Sequence, residues 1–384
     1  MKPYPTDVLA ITAATFVAFM GIGVVDPLLP LIGERLGATP PQIELLFTGY
    51  IGVMAFAMLL SGAAGTRFGA KKTLMLGLGL VVIFSTLSGL SPTISALALF
   101  RSGWGLGNAF FVSMALSILV GASVADTAST IVLYEAALGL GIASGPLLGG
   151  LLGSYSWRYP FFGTASLMAV GLLATAVFVR DPKKEEARTV RDVVGALGDR
   201  AVLTNALIGL AYSYAFFTIL AYSPLTLAGL STMTLGVTYF FWGVLVAFAS
   251  VYAVRKLERL VPPIRLLQAS LLSLAAIMAA AGMEGGSALL YLIVASGFFC
   301  GMSNAIFTTF AMTASPFSRS VSSAAYNFLR WGGAAIAPVA SGIIGQADGV
   351  RAPFYLAGLM LVAGCAALAL RGRLITDAER LSPR

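Results

Sequence analysis

The sequence contains no histidine and only two cysteines, and charge is scarce: Lys and Arg number 24 and Asp and Glu 16, together 10% of 384 residues. Each shortage excludes something. Without histidine there is no Ser–His or Cys–His catalysis, no His-ligated zinc and no imidazole proton carrier. Cys300 and Cys365 both lie in apolar runs, so neither a disulfide framework nor a thiolate metal cluster is expected, and no cofactor or metal is implied. A soluble domain carries roughly 25% charged residues. The deficit excludes an ordinary soluble enzyme, a disordered chain and a nucleic-acid binder. Proton chemistry near neutral pH is left to carboxyls in unusual surroundings.

Apolar residues are abundant: 58% of the chain is A, V, I, L, M, F, W, Y or C, and the mean hydropathy is +0.90. Lipid is the expected solvent. A spanning helix needs ~20 apolar residues, so twelve use ~240 and leave short connectors. Apolar runs fall near 8–31, 43–64, 73–92, 94–120, 127–153 and 160–179, then near 202–228, 233–254, 263–282, 287–313, 321–345 and 352–371. The first run is too long for a cleaved signal peptide, and no small-residue cleavage site follows it.

With the N-terminus inside, 19 of the 24 basic residues fall on one side. Three (Arg35, Arg158 and Arg351) fall opposite, while Arg101 and Arg330 sit inside spans. This bias puts both termini in the cytoplasm of a multi-pass protein of the cell's inner (plasma) membrane. The predicted fold is all-α, with twelve transmembrane helices in two pseudo-symmetric six-helix bundles. Residues 1–180 form one bundle, 181–200 a charged cytoplasmic linker with a short interfacial helix near 187–197, 201–371 the other bundle and 372–384 a tail.

The halves repeat. Tyr134–Gly153 aligns without gaps on Tyr326–Gly345 with six of twenty positions identical, and GLGNAFF (105–111) aligns on GMSNAIF (301–307). A parallel 6+6 repeat is the arrangement of a rocking transporter with its site between the halves at the midplane.

Four groups of residues carry candidate chemistry. In the fifth span, Gly141, Gly145, Gly149 and Gly153 make one small-residue ridge, which lets helix backbones approach closely in lipid. Pro146 within the ridge is expected to bend the helix. In the connector GAAGTRFGAKK (62–72), Gly65 and Gly69 permit a tight turn beside Arg67, Lys71 and Lys72. From these two segments Gly62, Arg67, Gly69, Lys71, Gly145, Pro146 and Gly149 are the gating candidates. Third, Arg101 lies well inside span four and needs a partner. Asp26, in VVDPLLP, lies at similar depth, so Asp26–Arg101 is the first expected ion pair; the alternative is that Asp26 caps a helix broken by Pro27 and Pro30. Fourth, Glu135, one or two turns into span five, reads as the deepest acid, and Arg330 lies near its level in span eleven. Glu135 suits either proton exchange or a fixed tie to Arg330.

On these motifs the chain resembles the major facilitator superfamily, and within it the twelve-span drug:proton antiporters of bacterial multidrug efflux. GAAGTRFGAKKTLMLG looks like the loop 2–3 signature, RSGWGLGNA like the span-four Arg signature, and GIASGPLLGG with SWRYPFF like the span-five antiporter signature. The resemblance implies alternating access, with protonatable acids in the N-terminal half and Arg101 modulating the span-one acid; Asp26 and Glu135 occupy suitable positions. Thr66 stands where the loop signature usually has an acid, so an ionic latch there lacks its carboxylate.

Spans one, four, seven and ten offer aromatic residues and two amides to a cavity. Phe19, Trp104, Asn108, Tyr134, Tyr212, Phe216, Asn304 and Tyr326 are the candidate substrate contacts. Such a lining has too few convergent polar groups for a sugar, and suits hydrophobic or cationic organic molecules through dispersion and cation–π contacts. The function expected is proton-coupled export of such compounds, with a carrier of an endogenous metabolite or lipid-like solute as the alternative. An intramembrane enzyme would leave the repeat unexplained, and a receptor would need a soluble output domain. Expected partners are the small-molecule substrate, protons and the bilayer, with no nucleic acid, and the protein is expected to act as a monomer.

Overall fold

The protein is described from a computed structural model covering residues 6–122, 127–180, 190–284, 287–313, 317 and 319–381. Side chains at 62–63, 66, 116–117, 120–122, 127–132, 135–136, 190, 312, 319–320, 323 and 379–381 lie outside that description. Among the described residues the chain is helical throughout. The helices are α1 (Thr6–Gly23), α2 (Leu29–Leu36), α3 (Pro40–Phe68), α4 (Ala70–Leu90), α5 (Ile94–Ala122), α6 (Thr127–Gly153), α7 (Tyr159–Phe178) and α8 (Val190–Ala196). They continue as α9 (Arg200–Phe217), α10 (Ser223–Thr226), α11 (Thr232–Phe248), α12 (Val254–Leu257), α13 (Pro263–Met283), α14 (Ser287–Thr313), α15 (Arg319–Ala347) and α16 (Ala352–Leu381).

Short turns join α1 to α2, α9 to α10 and α11 to α12 into single long segments: a 3-10 turn at Asp26–Leu28 and π-helical turns at Thr218–Tyr222 and Ala249–Ala253. Among the described residues ten segments are long and apolar enough to cross a membrane, and Ala137–Gly153 is a shorter apolar stretch within α6. With α5, these account for the twelve expected spans. The short helix expected near 187–197 is α8.

The helix ends follow local chemistry. Thr39 and Gln42 form a reciprocal capping box at the start of α3, with the Thr39 N–H donating to Gln42 Oε1 at 2.9 Å. Asp199 Oδ1 accepts from the Ala201 and Val202 N–H groups at 2.9 and 3.0 Å to start α9. Gly69, at φ +93°, is a single-residue break between α3 and α4, in a region that L side chains rarely adopt. The tight turn is therefore at Gly69 alone. Gly65 lies inside α3, packed on Met114, and the helix runs four residues past the expected end of its span. Pro146 and Pro338 both lie within continuous helices, α6 and α15.

Two compact units divide the chain. The first holds residues 1–188 with 228–243, and the second 189–227 with 244–384. In the first, α1 packs on α6, α3 and α4 both pack on α5, and α4 packs on α7. In the second, α9 packs on α15 and α16, and α13 on α14 and α16. Large apolar side chains are exposed along the outer faces, among them Phe56, Leu60, Leu99, Leu173, Val177, Leu359 and Leu370. In water such a surface would associate; in a bilayer it is the ordinary lipid contact.

The sequence repeat becomes a repeat of helix contacts. A Cβ at Gly141 would overlap the Phe16 carbonyl oxygen, and one at Gly333 the Leu210 carbonyl oxygen. A Cβ at Gly105 would overlap the Tyr50 carbonyl oxygen, and one at Gly301 that of Val246. Span five therefore lies backbone-to-backbone on span one, and span four on span two, in each half.

Candidate functional site

Asp26 sits where span one is interrupted. α1 ends at Gly23, and Pro27 and Pro30 have no N–H to donate, so the chain passes through the short turn Asp26–Leu28 before α2 begins. The Asp26 side chain is fully buried, and neither carboxylate oxygen has a hydrogen-bond partner among the described residues. Asp26 is therefore not a helix cap.

Arg101, on α5, is also fully buried. Its Nε donates to the Leu46 carbonyl at 3.3 Å, while Nη1 and Nη2 have no partner among the described residues. The guanidinium lies 4.6 Å from the Tyr50 ring centre, 4.9 Å from that of Trp104 and 5.8 Å from that of Phe47. This aromatic surround accepts a cation with little hydration. Asp26 and Arg101 act on each other electrostatically, but no hydrogen bond joins them.

A third charged residue completes the cluster. Glu44, in the second turn of α3, is fully buried, and both its carboxylate oxygens lack partners among the described residues. It acts electrostatically on Asp26. Sequence reasoning misses Glu44, because one residue inside the expected start of a span an acid reads as a headgroup-level residue. Its apolar neighbours Ile43, Leu46 and Phe47, all buried, are the signal that could have found it.

Beside the charged cluster the aromatic residues interlock. Tyr50 and Trp104 meet edge-on at 6.2 Å, Trp104 and Phe161 at 6.3 Å, and Phe161 and Trp157 at 6.1 Å. Gly21 leaves room for the Trp104 ring, since a Cβ there would lie 2.7 Å from its Cζ2. Asn108 Nδ2 donates to the Tyr50 hydroxyl and lies 3.4 Å from the Ala18 carbonyl, while Asn108 Oδ1 has no partner among the described residues. Tyr50→Phe removes that acceptor from a buried amide and is expected to destabilise by about 1–3 kcal/mol. A lowered unfolding midpoint in detergent, with Tyr50→Leu no more stable, checks it. Phe19 and Tyr134 meet edge-on at 6.3 Å.

The glycine ridge of α6 lies on this same segment of α1. A Cβ at Gly145 would overlap the Met20 carbonyl oxygen, one at Gly149 the Val24 carbonyl oxygen, and one at Gly153 the Leu28 side chain. Pro146 Cδ would lie 3.0 Å from a Cβ at Gly23. The opposite face of α6 is as close to α11: a Cβ at Gly236 would lie 2.6 Å from the Pro146 carbonyl oxygen.

The second unit holds the other candidates. The Tyr212 hydroxyl donates to the Cys300 carbonyl at 2.7 Å, and its ring meets Phe307 at 5.4 Å and Phe216 at 6.0 Å. Phe307 stacks on Tyr326 at 6.3 Å, and the Tyr326 hydroxyl and Asn304 Oδ1 have no partner among the described residues. Arg330 is half-buried; Nη1 donates to Asn327 Oδ1 at 3.4 Å and the group lies 5.3 Å from the Trp331 ring centre. The Glu135 side chain, Gly62 and the Thr66 side chain lie outside the described residues. Arg67 is exposed at the end of α3, 5.4 Å from the Phe68 ring centre, and Lys71 Nζ donates to the Ala176 carbonyl at 3.1 Å, tying α4 to the end of α7.

The structure thus brings Asp26, Arg101, Trp104 and Asn108 into one neighbourhood, Phe19 and Tyr134 into contact, and Tyr212, Phe216 and Tyr326 into one aromatic cluster. A buried acid and a buried arginine in an apolar helical bundle are costly, and intramembrane charges of this kind commonly mark ion and substrate pathways.

The Major Facilitator Superfamily profile matches residues 11–338. The chain is 41% identical over 372 residues to the "Multidrug efflux protein YfmO" of Bacillus subtilis (strain 168), covering 96% of this chain and 93% of that one. It is 28% identical over 176 residues to the "Quinolone resistance protein NorA" of Staphylococcus aureus (strain MRSA252), covering 44% of each. Among solved structures it superposes with a TM-score of 0.80 and 16% identity on a bacterial homologue of the human lysosomal transporter Spinster, covering 97% of both chains. A D-xylose–proton symporter superposes with a TM-score of 0.78 and 13% identity, covering 94% of this chain and 96% of that one.

Proposed function

This chain belongs to the major facilitator superfamily, and on that premise we propose that it exports hydrophobic or cationic organic compounds from the cell in exchange for protons, by alternating access. It is a multi-pass membrane transporter of the multidrug efflux kind. The observation that carries the proton coupling is the buried Asp26 carboxyl, without a hydrogen-bond partner among the described residues and under the charge of Arg101. A carboxyl held this way can exchange a proton when the bundle opens to water, whereas a structural ion pair would be closed by hydrogen bonds.

Substrate contacts fall to the aromatic and amide residues: Phe19, Trp104, Asn108 and Tyr134 in one half, Tyr212, Phe216, Asn304 and Tyr326 in the other. Asn108 and Asn304 are equivalent in the repeat, and each keeps an unpartnered carbonyl oxygen to offer a polar or cationic group. Glu135 and Arg330 are further coupling candidates, and the small-residue segments at 62–71 and 145–149 the gating ones. The 19-to-3 distribution of basic residues supports cytoplasmic termini, with the Asp26–Glu44 end of the first bundle outward. On this reading the protein works as a monomer.

The test is transport in proteoliposomes under an imposed pH gradient, with a lumenal pH dye and a panel of lipophilic cations and neutral drugs. Drug-triggered proton movement in the wild type, abolished by Asp26→Asn or Glu135→Gln, is the expected result. A folded wild type that moves no protons with any drug overturns the antiport reading.

A further inference from the structure

Among the described residues the first bundle buries two carboxyls and one guanidinium, and the arithmetic of their charge is unbalanced. Asp26, Glu44 and Arg101 are each fully buried, and neither carboxylate nor either Nη of Arg101 has a hydrogen-bond partner among the described residues. Other titratable groups around Glu44 do not redress the balance. Tyr50 follows it on α3 and donates no charge. Glu34 and Arg35, on the α2 segment packed against α3, are exposed. Lys71 and Lys72 are in the first turn of α4, beside the far end of α3. One buried cation is therefore set against two buried acids, Arg101 acting on Asp26 and Asp26 on Glu44, and a buried uncompensated charge is strongly unfavourable.

The internal repeat shows that packing does not demand these charges. On span one, Phe16, Val24 and Leu28 meet the α6 ridge as Leu210, Thr218 and Tyr222 meet α15 in the other half. By the same spacing Asp26 corresponds to Leu220. The Tyr50–Gly105 and Val246–Gly301 contacts set the register of spans two and four, so Glu44 corresponds to Phe240 and Arg101 to Gly297. The second half builds the same helix contacts with two apolar residues and a glycine. The three charges are an addition to the first half.

We propose that Glu44 is a further proton-coupling residue: Asp26 and Glu44 share one exchangeable proton, because Arg101 balances one carboxylate of the pair and the proton neutralises the other. This rests on the antiport reading above and deepens it. Two carboxyls that cannot both be charged titrate as a pair, and the proton belongs to neither alone. The consequence is counter-intuitive. Removing either acid leaves an Asp26–Arg101 or Glu44–Arg101 pair that is neutral without a proton, so each removal empties the site although a carboxyl remains.

The experiment compares wild type, Glu44→Gln, Glu44→Asp and the double variant Glu44→Gln/Arg101→Met in liposomes, with tetraphenylphosphonium as the transported probe. Glu44→Gln is expected to lower probe-triggered proton release by roughly ten-fold or more, with probe binding changed less than about three-fold. Glu44→Asp retains release, which excludes a merely structural loss. Infrared difference spectra across pH, recorded without probe in a Glu135→Gln background, give an independent readout. The buried carboxylic-acid band is present in wild type, absent in Glu44→Gln, and present again in the double variant, where the lone Asp26 no longer has a cation. Wild-type proton release in Glu44→Gln, or an unchanged infrared band, overturns the proposal. A wild type that moves no protons but shows this band pattern overturns the antiport reading and leaves the shared proton standing.

Discussion

Arg101→Met stops drug-driven proton exchange, while Arg101→Lys retains part of it. The guanidinium is held by three kinds of contact: one hydrogen bond to the Leu46 carbonyl at 3.3 Å, three aromatic faces between 4.6 and 5.8 Å, and the charge of Asp26. The first ties α5 to α3 and the last ties α5 to the turn after α1. Methionine fills much of the same volume and keeps none of them. Breaking a buried charge cluster by removing one member costs about 3–5 kcal/mol. Separately from that loss of stability, the initial rate of drug-driven proton release should fall by roughly a hundred-fold or more. Both acids then need a proton of their own, so the bundle gains protons that the drug no longer displaces. Lysine restores the charge but has no planar fork to stack on Tyr50 and Trp104, and it reaches Leu46 only as a point donor. The ordering wild type, then lysine, then methionine, measured as initial rates in proteoliposomes at matched protein content, checks the argument. Equal activity of methionine and wild type would show that the cluster is inert.

The twelve spans and their pairing in the repeat were legible because lipid imposes a simple rule. A chain that must bury its own backbone polar groups shows every span as an apolar run of fixed length, and the small-residue ridge of α6 announces a close contact. Asp26 and Arg101 were legible for the same reason, as charges inside apolar runs. Glu44 was not. Its depth depends on the turn at Asp26–Leu28 and on α3 packing beside α2, and neither is written in the local composition around residue 44. Sequence depth alone predicts an ion pair between Asp26 and Arg101; the structure leaves both groups short of hydrogen bonds and sets a second acid, Glu44, against Asp26. Two facing runs of apolar sequence do not reveal which side chains converge. The turn at Gly69 illustrates the converse. Two glycines four apart look alike in sequence, but only Gly69 has positive φ, while Gly65 supplies room for Met114.

Gly149→Val is expected to abolish transport and to lower stability measurably, because the ridge of α6 is closed on backbone rather than on side chains. A Cβ at Gly149 would overlap the Val24 carbonyl oxygen and lie 3.0 Å from Pro27 Cγ. Neither neighbour can rotate away: one is main chain and the other is a ring fixed to it. The contact can be relieved only by separating α6 from the turn that carries Asp26, which lies between Val24 and Pro27. Overpacking of this kind costs about 1–3 kcal/mol for a single added group and more for a branched one. Gly149→Ala should therefore lower the unfolding midpoint by several degrees and reduce transport, and valine should do both more severely. Gly79→Ala and Gly332→Ala are the controls, since nothing lies within 4 Å of a Cβ at either position; both should behave as wild type. The repeat adds a sharper comparison. The position matching Gly149 in the second half is Ser341, whose hydroxyl lies 3.3 Å from that of Thr218. There the same helix pair accommodates a Cβ and closes with a hydrogen bond. Ser341→Ala should thus be mild where Gly149→Ala is damaging. That asymmetry would place the strict steric demand in the half that carries the buried charges, where a small displacement of one turn changes which groups Asp26 faces.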